Sequence, residues 1–207
     1  NVSHEIRTPL TSIKGFSQFL LAQKDECPPT IQSSLERIVY NTERLQDLFD
    51  NLLKLSIIES RYEIQKELFN LKALVQTIEK NLKYKHPKKT FSIKLTAQNP
   101  IYGDKKLLEQ VFTNLIDNSI KYNTSDETLI VINIHQVLNR DIVEIRDNGP
   151  GIPETDLKRI FERFYRIQGQ SSSQIEGTGL GLSIVKHIIN KHNGVISVER
   201  EIDKGSC

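Results

Sequence analysis

The sequence predicts an α+β protein in two parts. Residues 1–60 read as an antiparallel helical hairpin that pairs with a second copy into a four-helix bundle, and 69–207 as an α/β domain, joined by a linker at 61–68. Through the first part, apolar residues recur at alternating three- and four-residue intervals, the seam of helices packed along their length. Beyond it the period changes to short runs alternating apolar with polar, interleaved with helical stretches, as half-buried strands beside helices do. An apolar share of 37% over 207 residues is enough to give each part a core.

In the first helix the seam is Val2, Ile6, Pro9, Ile13, Phe16 and Leu20. Cys27-Pro28-Pro29 is a stop and restart signal. The second seam is Ile31, Leu35, Ile38, Thr42, Leu45, Phe49, Leu52 and Ser56, and Val39, Leu48, Leu53 and Leu55 widen it. Two helices with apolar faces this broad cannot hide both in one hairpin, hence the expected pairing of chains. In the second part, 91–95, 129–137 and 142–145 alternate as strands, 104–122 and 179–191 read as helices, and 195–199 as a strand after the Asn193-Gly194 turn. Helices are expected on one side of a mostly antiparallel or mixed sheet.

Charge and composition narrow the function classes. Lysine and arginine number 28 against 26 acidic residues, and a net charge of +2 leaves no electrostatic footprint for nucleic acid or an anionic membrane. Cys27 and Cys207 are too isolated for a disulfide framework or a metal site, which fits a reducing compartment. No apolar run approaches the roughly 18 residues that cross a bilayer, and no signal peptide is visible. The chain begins without an initiator methionine inside a helical pattern, so it is expected to be part of a longer protein whose preceding portion can hold a membrane span.

The seam register places His4 between two seam positions, on the solvent side, where a core histidine does not belong. Thr8, four residues on, shares its face. Pro9 lacks an N–H and its ring crowds the carbonyl of Glu5, so a bend is expected beside His4.

Four segments of the second part carry chemistry, each weak alone. Asn114, Asn118 and Lys121 project from one face of a helix. Amide oxygens can ligand a hard cation such as magnesium when a nucleotide's phosphates supply the negative charge, although an N-x-x-x-N alone is ordinary on a solvated helix face. Asp147-Asn148-Gly149-Pro150-Gly151-Ile152-Pro153 follows a strand, and an ionised aspartate there can accept a hydrogen bond from an exocyclic amine such as that of adenine; alone it is a loop. Gly177-Thr178-Gly179-Leu180-Gly181-Leu182 precedes a helix, where free N–H groups and the helix dipole favour phosphate. It is not a Walker loop, since no Lys-Ser/Thr follows the last glycine, and Leu182 stands where the dinucleotide fingerprint needs its third glycine. The polar run Gln168-Gly169-Gln170-Ser171-Ser172-Ser173-Gln174 suits a mobile lid spanning 154–176, its near end anchored by burial of Phe161, Phe164 and Tyr165; a plain surface loop is the alternative.

In this order and spacing the segments resemble the transmitter region of sensor histidine kinases of two-component signalling, over essentially the whole chain. Ser3-His4-Glu5-Ile6-Arg7-Thr8-Pro9-Leu10 is similar to that family's phospho-acceptor box, 114–122 to its asparagine box, the segments at Asp147 and Gly177 to its glycine boxes, and Ile160-Phe161-Glu162-Arg163-Phe164-Tyr165-Arg166 to its phenylalanine box. The resemblance implies an α/β sandwich of the gyrase/chaperone/histidine-kinase ATPase type, binding ATP and Mg2+. It implies an autophosphorylating kinase in which His4 takes the γ-phosphate and passes it to an aspartate of a response-regulator receiver domain. Asn114 and Asn118 would hold the magnesium, Asp147 the adenine amine, and Lys121 and Arg166 phosphate. Tyr122 and Ile152 would line the base pocket, with Gly149, Gly151, Phe161, Gly177, Thr178, Gly179, Leu180 and Gly181 completing the nucleotide site. Glu5 would fix the tautomer of His4 or accept its proton, and Thr8 would orient water for dephosphorylating the partner. The receiver would dock on 10–19 and the facing helix.

The resemblance further implies a homodimer, and the cytoplasmic portion of a membrane-anchored bacterial kinase, with membrane contact only through segments outside this chain. Two features depart from the family pattern: the helix before His4 is short, and the chain stops at Gly205-Ser206-Cys207 where a closing strand is expected. The rival class is a gyrase-like or chaperone-like ATP hydrolase. Those enzymes carry a water-activating glutamate one turn before the magnesium-binding asparagine; Asn114 stands there and cannot act as a base. A non-catalytic dimeric scaffold is the third reading, against which the full set of ligand-competent side chains weighs. His86, His135, His187 and His192 lack metal-ligand spacing, and the loop Lys85-His86-Pro87-Lys88-Lys89 reads as solvated.

Overall fold

A computed structural model of the chain describes residues 2–22, 28–60, 63–96, 100–138, 140–167 and 177–199, with side chains from residue 6 onward. The chain divides into two compact units, Asn1–Arg61 and Tyr62–Cys207.

The first unit is a hairpin of α1 (Val2–Ala22) and α2 (Pro29–Glu59). α1 is unbroken through Pro9, although the Glu5 carbonyl has no amide donor there. Pro29 opens α2, where its missing N–H costs no helical bond. The two helices run antiparallel: Arg7 Nη2 lies 2.7 Å from Asp50 Oδ1, Gln46 Nε2 donates to Thr11 Oγ1 at 3.3 Å, and Lys14 Nζ lies 2.8 Å from Glu43 Oε1.

Burial divides the sequence seam. On α2, Leu35 and Thr42 are buried, whereas Ile31, Ile38, Leu45 and Leu52, seven residues apart, stay exposed. On α1, Ser17 is buried and Leu10, Lys14 and Leu21 are half-buried, whereas Ile6, Ile13, Phe16 and Leu20 are exposed, Phe16 to 72%. The α1 seam therefore does not face α2, as a hairpin seam would. Small side chains at Ser17 and Thr42 are buried along with Leu35, Leu55 and Ile58, while the exposed apolar residues form an outward stripe on both helices.

The second unit is a layer of helices on a mixed sheet. β2 (Thr90–Leu95) pairs in parallel with β4 (Glu127–Val137), which pairs antiparallel with β5 (Arg140–Asp147). On β4, Ile130, Ile132 and Ile134 are buried at every second position. Helices α3 (Leu71–Lys85), α4 (Lys105–Tyr122) and α5 (Gly181–Lys191) supply the rest of the core, with Leu71, Ile78, Leu82, Ile116, Ile120, Ile184 and Ile188 almost wholly enclosed. A two-stranded ribbon of β1 (Glu67–Phe69) and β3 (Ile101–Gly103) completes the unit.

Three elements go beyond the sequence expectation and one falls short. β1 and β3 have three residues each, too few for alternation to register. α3 did carry a signal: Asn70 accepts from the Lys72 and Ala73 N–H groups as an N-cap, and Leu71, Leu74, Val75, Ile78 and Leu82 form one apolar face. The strand expected at 195–199 makes no ladder among the described residues. Asn193-Gly194 caps α5 instead of turning a hairpin: Asn193 takes φ +58° and the Gly194 N–H reaches back to the Ile189 carbonyl at 2.9 Å.

Candidate active site

α4 is held at its start. The buried carboxylate of Asp104 accepts from the Leu107 N–H at 3.1 Å and from the Gln65 N–H at 3.1 Å. The Asp104 N–H donates to His192 Nε2 at 3.0 Å, and His192 Nδ1 donates to the Ile188 carbonyl at 2.8 Å, which fixes the ring as the Nδ1–H tautomer. The start of α4 is thus tied to the end of α5. A Cβ at Gly103 would come within 2.5 Å of Leu108 Cδ1, so the Leu108 side chain would have to shift to admit it.

With Val111, Phe112, Ile116 and Ile120 turned inward, α4 leaves Asn114, Asn118 and Lys121 half-buried. Asn114 Nδ2 donates to the Gly181 carbonyl at 3.3 Å, binding the asparagine helix to the first residue of α5 and directing the amide oxygen elsewhere. Amide oxygens of this kind are hard donors of the type that magnesium accepts. Among the described residues no group of three His, Cys, Asp or Glu side chains is placed to hold a metal.

Asp147 ends β5 with both oxygens engaged: Ser119 Oγ donates to Oδ2 at 3.0 Å, and the Gly149 N–H to Oδ1 at 2.9 Å. Asn148 fastens the turn to β4, accepting from the Leu129 N–H at 2.8 Å and from Asn123 Nδ2 at 2.7 Å while donating to the Glu127 carbonyl at 3.0 Å. Gly151 takes φ +74°, and Ile152 is half-buried beyond it. The carboxylate is thus fixed both from its own turn and from α4.

In the second glycine segment Leu180 is wholly buried and its N–H points to Thr178 Oγ1 at 3.4 Å. Gly179 takes φ +72°, and its carbonyl accepts from the Phe164 N–H at 2.9 Å. A Cβ on Gly179 would lie 2.7–2.9 Å from Phe164 backbone atoms. Tyr122 approaches the same loop, its hydroxyl 3.6 Å from where a Cβ of Gly177 would stand.

The phenylalanine segment is anchored differently from expectation. Phe164 is 54% exposed and holds on through its backbone, at φ +64°. Ile160 is the buried anchor, Phe161 is half-buried with Lys186 Nζ 5.8 Å from its ring centroid, and Arg159 stacks 4.3 Å over Tyr165. The Tyr165 hydroxyl donates to Asp156, and that bond raises its pKa above the usual 10.0. Arg166 is half-buried. The polar part of the expected lid, 168–176, and the terminal Gly205-Ser206-Cys207 lie outside the described residues.

Lys121 is engaged within the unit, its Nζ 2.8 Å from Asp117 Oδ2. The same oxygen lies 3.0 Å from Lys85 Nζ, and Asp117 Oδ1 lies 2.6 Å from His86 Nε2. Burial alone would raise the Asp117 pKa, but Lys121, His86 and Lys85 outweigh it and hold the group below its usual 3.8. The lysine-rich loop is therefore not simply solvated, because Lys85 and His86 serve this carboxylate and Lys89 Nζ donates to the Asn123 carbonyl at 3.1 Å.

In the first unit His4 and Glu5 lie in α1, their side chains outside the described residues. Thr8 is exposed. Just beyond it an open groove is lined by Arg7, Leu10, Gln46, Asp47, Phe49 and Asp50.

Sequence reasoning missed Ser119, Asn123, Asn148, Asp104 and Asp117. Asp117 had a readable signal in its four-residue spacing to Lys121 on a helix, and Asp104 in its place as an N-cap before α4. Asp104 also caps α4 locally through Leu107, but its ties to Gln65 and His192, like the partners of Ser119 at Asp147 and of Asn148 on β4, are ones that the fold alone brings near.

Residues 1–61 match the His Kinase A (phospho-acceptor) domain, and residues 103–207 the histidine kinase-, DNA gyrase B- and HSP90-like ATPase domain. Sensor protein SrrB of Staphylococcus aureus is 31% identical over 211 residues, an alignment covering 100% of this chain and 36% of that protein. The chain thus spans about a third of the length of the curated relatives it matches. Among solved structures, the Acinetobacter baumannii histidine kinase AdeS superposes with TM-score 0.61 at 29% identity, covering 98% of this chain and 93% of that one. The catalytic domain of histidine kinase ThkA gives 0.55 at 28%, covering 69% and 90%. Full-length ShkA, crystallised with AMPPNP, shares the fold, with TM-score 0.74 at 21% identity over 99% of this chain and 43% of that one. A phospho-acceptor hairpin followed by an ATPase-type unit, matched over both parts, places the chain in the sensor histidine kinase family.

Proposed function

We propose that the chain is the autophosphorylating core of a sensor kinase, which moves the γ-phosphate of ATP to His4 and then to an aspartate of a response-regulator receiver domain. The observation that carries this reading is the held carboxylate of Asp147, set by Ser119 and Gly149 on the same unit as the Asn114–Gly181 tie. Asp147 accepts the adenine amine, Tyr122 and Ile152 flank the base, and the N–H groups at the start of α5 take phosphate. Gly149, Gly151, Gly177 and Gly179 allow the backbone to come close, with Thr178, Leu180 and Gly181 shaping the loop and Phe161 and Arg166 closing one side. Magnesium held by Asn114 and Asn118 supplies charge neutralisation when bound.

A histidine is largely neutral near pH 7, and a ring nitrogen lone pair can attack the γ-phosphorus in line. The N–P bond forms as the bond to the β–γ bridging oxygen breaks, ADP departs, and the ring proton passes to Glu5 or water. Lys121 meets the charge on the phosphates. Thr8 orients water for hydrolysis of the partner's phosphoaspartate. In this reading 1–60 is the dimerisation and phospho-acceptor domain, 61–68 the linker and 69–207 the catalytic domain, with its lid over 154–176. The chain is then the cytoplasmic portion of a homodimeric, membrane-anchored bacterial sensor.

Incubation with γ-labelled ATP and Mg2+ tests it. The parent chain should take up acid-labile, alkali-stable label, and His4→Gln should bind ATP unchanged yet take up none. Label on His4→Gln contradicts the assignment. Thr8→Ala should lose phosphatase activity far more than autophosphorylation, and equal loss of both counts against its role.

A further inference from the structure

Asp117 is met by three side chains at once. Its two oxygens meet Lys121 at 2.8 Å, Lys85 at 3.0 Å and His86 at 2.6 Å, the last two from the end of α3. His86 Nε2 can donate whether the ring is neutral or charged. If Lys121 leaves, Oδ2 keeps Lys85 and Oδ1 keeps His86. A buried carboxylate with Lys121 as its single partner would resist that release, since an uncompensated buried charge would remain. The Lys121 side chain is 24% exposed, so its ammonium can move to a ligand.

We propose that Asp117 is the exchangeable counter-ion of Lys121: it holds the ammonium in the nucleotide-free unit and yields it to the phosphates of ATP, with Lys85 and His86 compensating the carboxylate afterwards. This rests on the reading above that Lys121 meets phosphate. Asp117 is a positioning residue acting through Lys121, and Lys85 and His86 set how readily Lys121 is released.

The signature is a pair of opposite effects on ATP affinity. Asp117→Asn removes the competitor for Lys121, so ATP with Mg2+ should bind the 207-residue chain about threefold to tenfold tighter. The double substitution Lys85→Gln, His86→Gln leaves Asp117 dependent on Lys121, so ATP should bind weaker by a similar factor. Adenosine, which has no phosphate, should bind all variants alike, and adding Lys121→Gln in either background should erase the shift. Calorimetric titration of ATP and of adenosine reads all of this. If Lys121→Gln alone leaves ATP affinity unchanged, the assignment of Lys121 to phosphate fails and the proposal with it. If Lys121→Gln weakens ATP but the other two variants shift in the same direction or not at all, the counter-ion proposal alone is overturned. Parallel changes in adenosine binding overturn it too, since they show Asp117 acting on the fold. Should Asp117→Asn not fold, the Lys85/His86 variant decides, and unchanged ATP affinity there overturns the proposal.

Discussion

Among individual residues, Gly179 is the most constrained glycine of the segment from Gly177 to Gly181. Its φ of +72° is one that side chains rarely adopt, and a Cβ would press on the Phe164 backbone, whose N–H the Gly179 carbonyl accepts. Gly179→Ala should therefore cost about 2–3 kcal/mol in urea denaturation, and weaken ATP binding by displacing the segment that opens α5. Tyr165 gives a pH-dependent counterpart. Its hydroxyl donates to Asp156, which raises the phenol's pKa above 10.0 in the folded state. The contribution is complete below the unfolded value and is lost as pH rises through the raised one. The Tm gap between the parent and Tyr165→Phe should be constant from pH 7 to 9 and close above pH 10; a gap that persists into strong alkali means the hydroxyl contributes nothing.

At the level of elements, Asp104 joins three segments through one side chain and one amide. It caps α4 through Leu107, receives Gln65 from the chain before β1, and lends its own N–H to His192 at the end of α5. Asp104→Ala removes a cap and leaves the Gln65 N–H without that acceptor, a loss of about 2–3 kcal/mol. Asp104→Asn keeps one acceptor oxygen and should cost clearly less; chemical denaturation of both variants measures the difference. The same residues show why elements were unevenly legible. α4 announced itself by periodicity, and the asparagines, Asp147 and the glycine segments by order and spacing. β1 and β3 were too short to show a pattern, and Asn193-Gly194 serves a hairpin or a helix cap equally well until its partners are known. Ser119 and Asn148 are ordinary polar residues in sequence, and become site residues only because the fold sets them against Asp147 and β4.

For the whole molecule, the outward stripe of the hairpin is an apolar face that nothing covers among the described residues. Ile6, Ile13, Phe16 and Leu20 on α1 and Ile31, Ile38, Leu45 and Leu52 on α2 are exposed in a single chain. Among the described residues of the hairpin the buried positions are Ser17, Leu35, Thr42, Leu55 and Ile58, none of which belongs to that stripe. A second copy can cover both stripes at once, which is the four-helix bundle that the breadth of the sequence pattern anticipated. Ile38→Lys with Leu45→Lys should convert the dimer to a monomer in sedimentation equilibrium while helix content by circular dichroism changes little. A dimer that survives both charges would place the interface elsewhere. The two-part plan was legible because hairpin and sheet have different hydrophobic periods, whereas the division of the hairpin seam was not, since sequence spacing does not say which of two apolar stripes faces the partner helix.

The central claim is that a nucleotide read by Asp147 delivers its terminal phosphate to His4. Mapping the phosphoryl group by mass spectrometry under neutral conditions, after incubation of the chain with ATP and Mg2+, tests it most directly. The account predicts a single phosphate on His4, absent from Asp147→Asn; phosphate on another residue, or ATP hydrolysed with His4 unmodified, would contradict it.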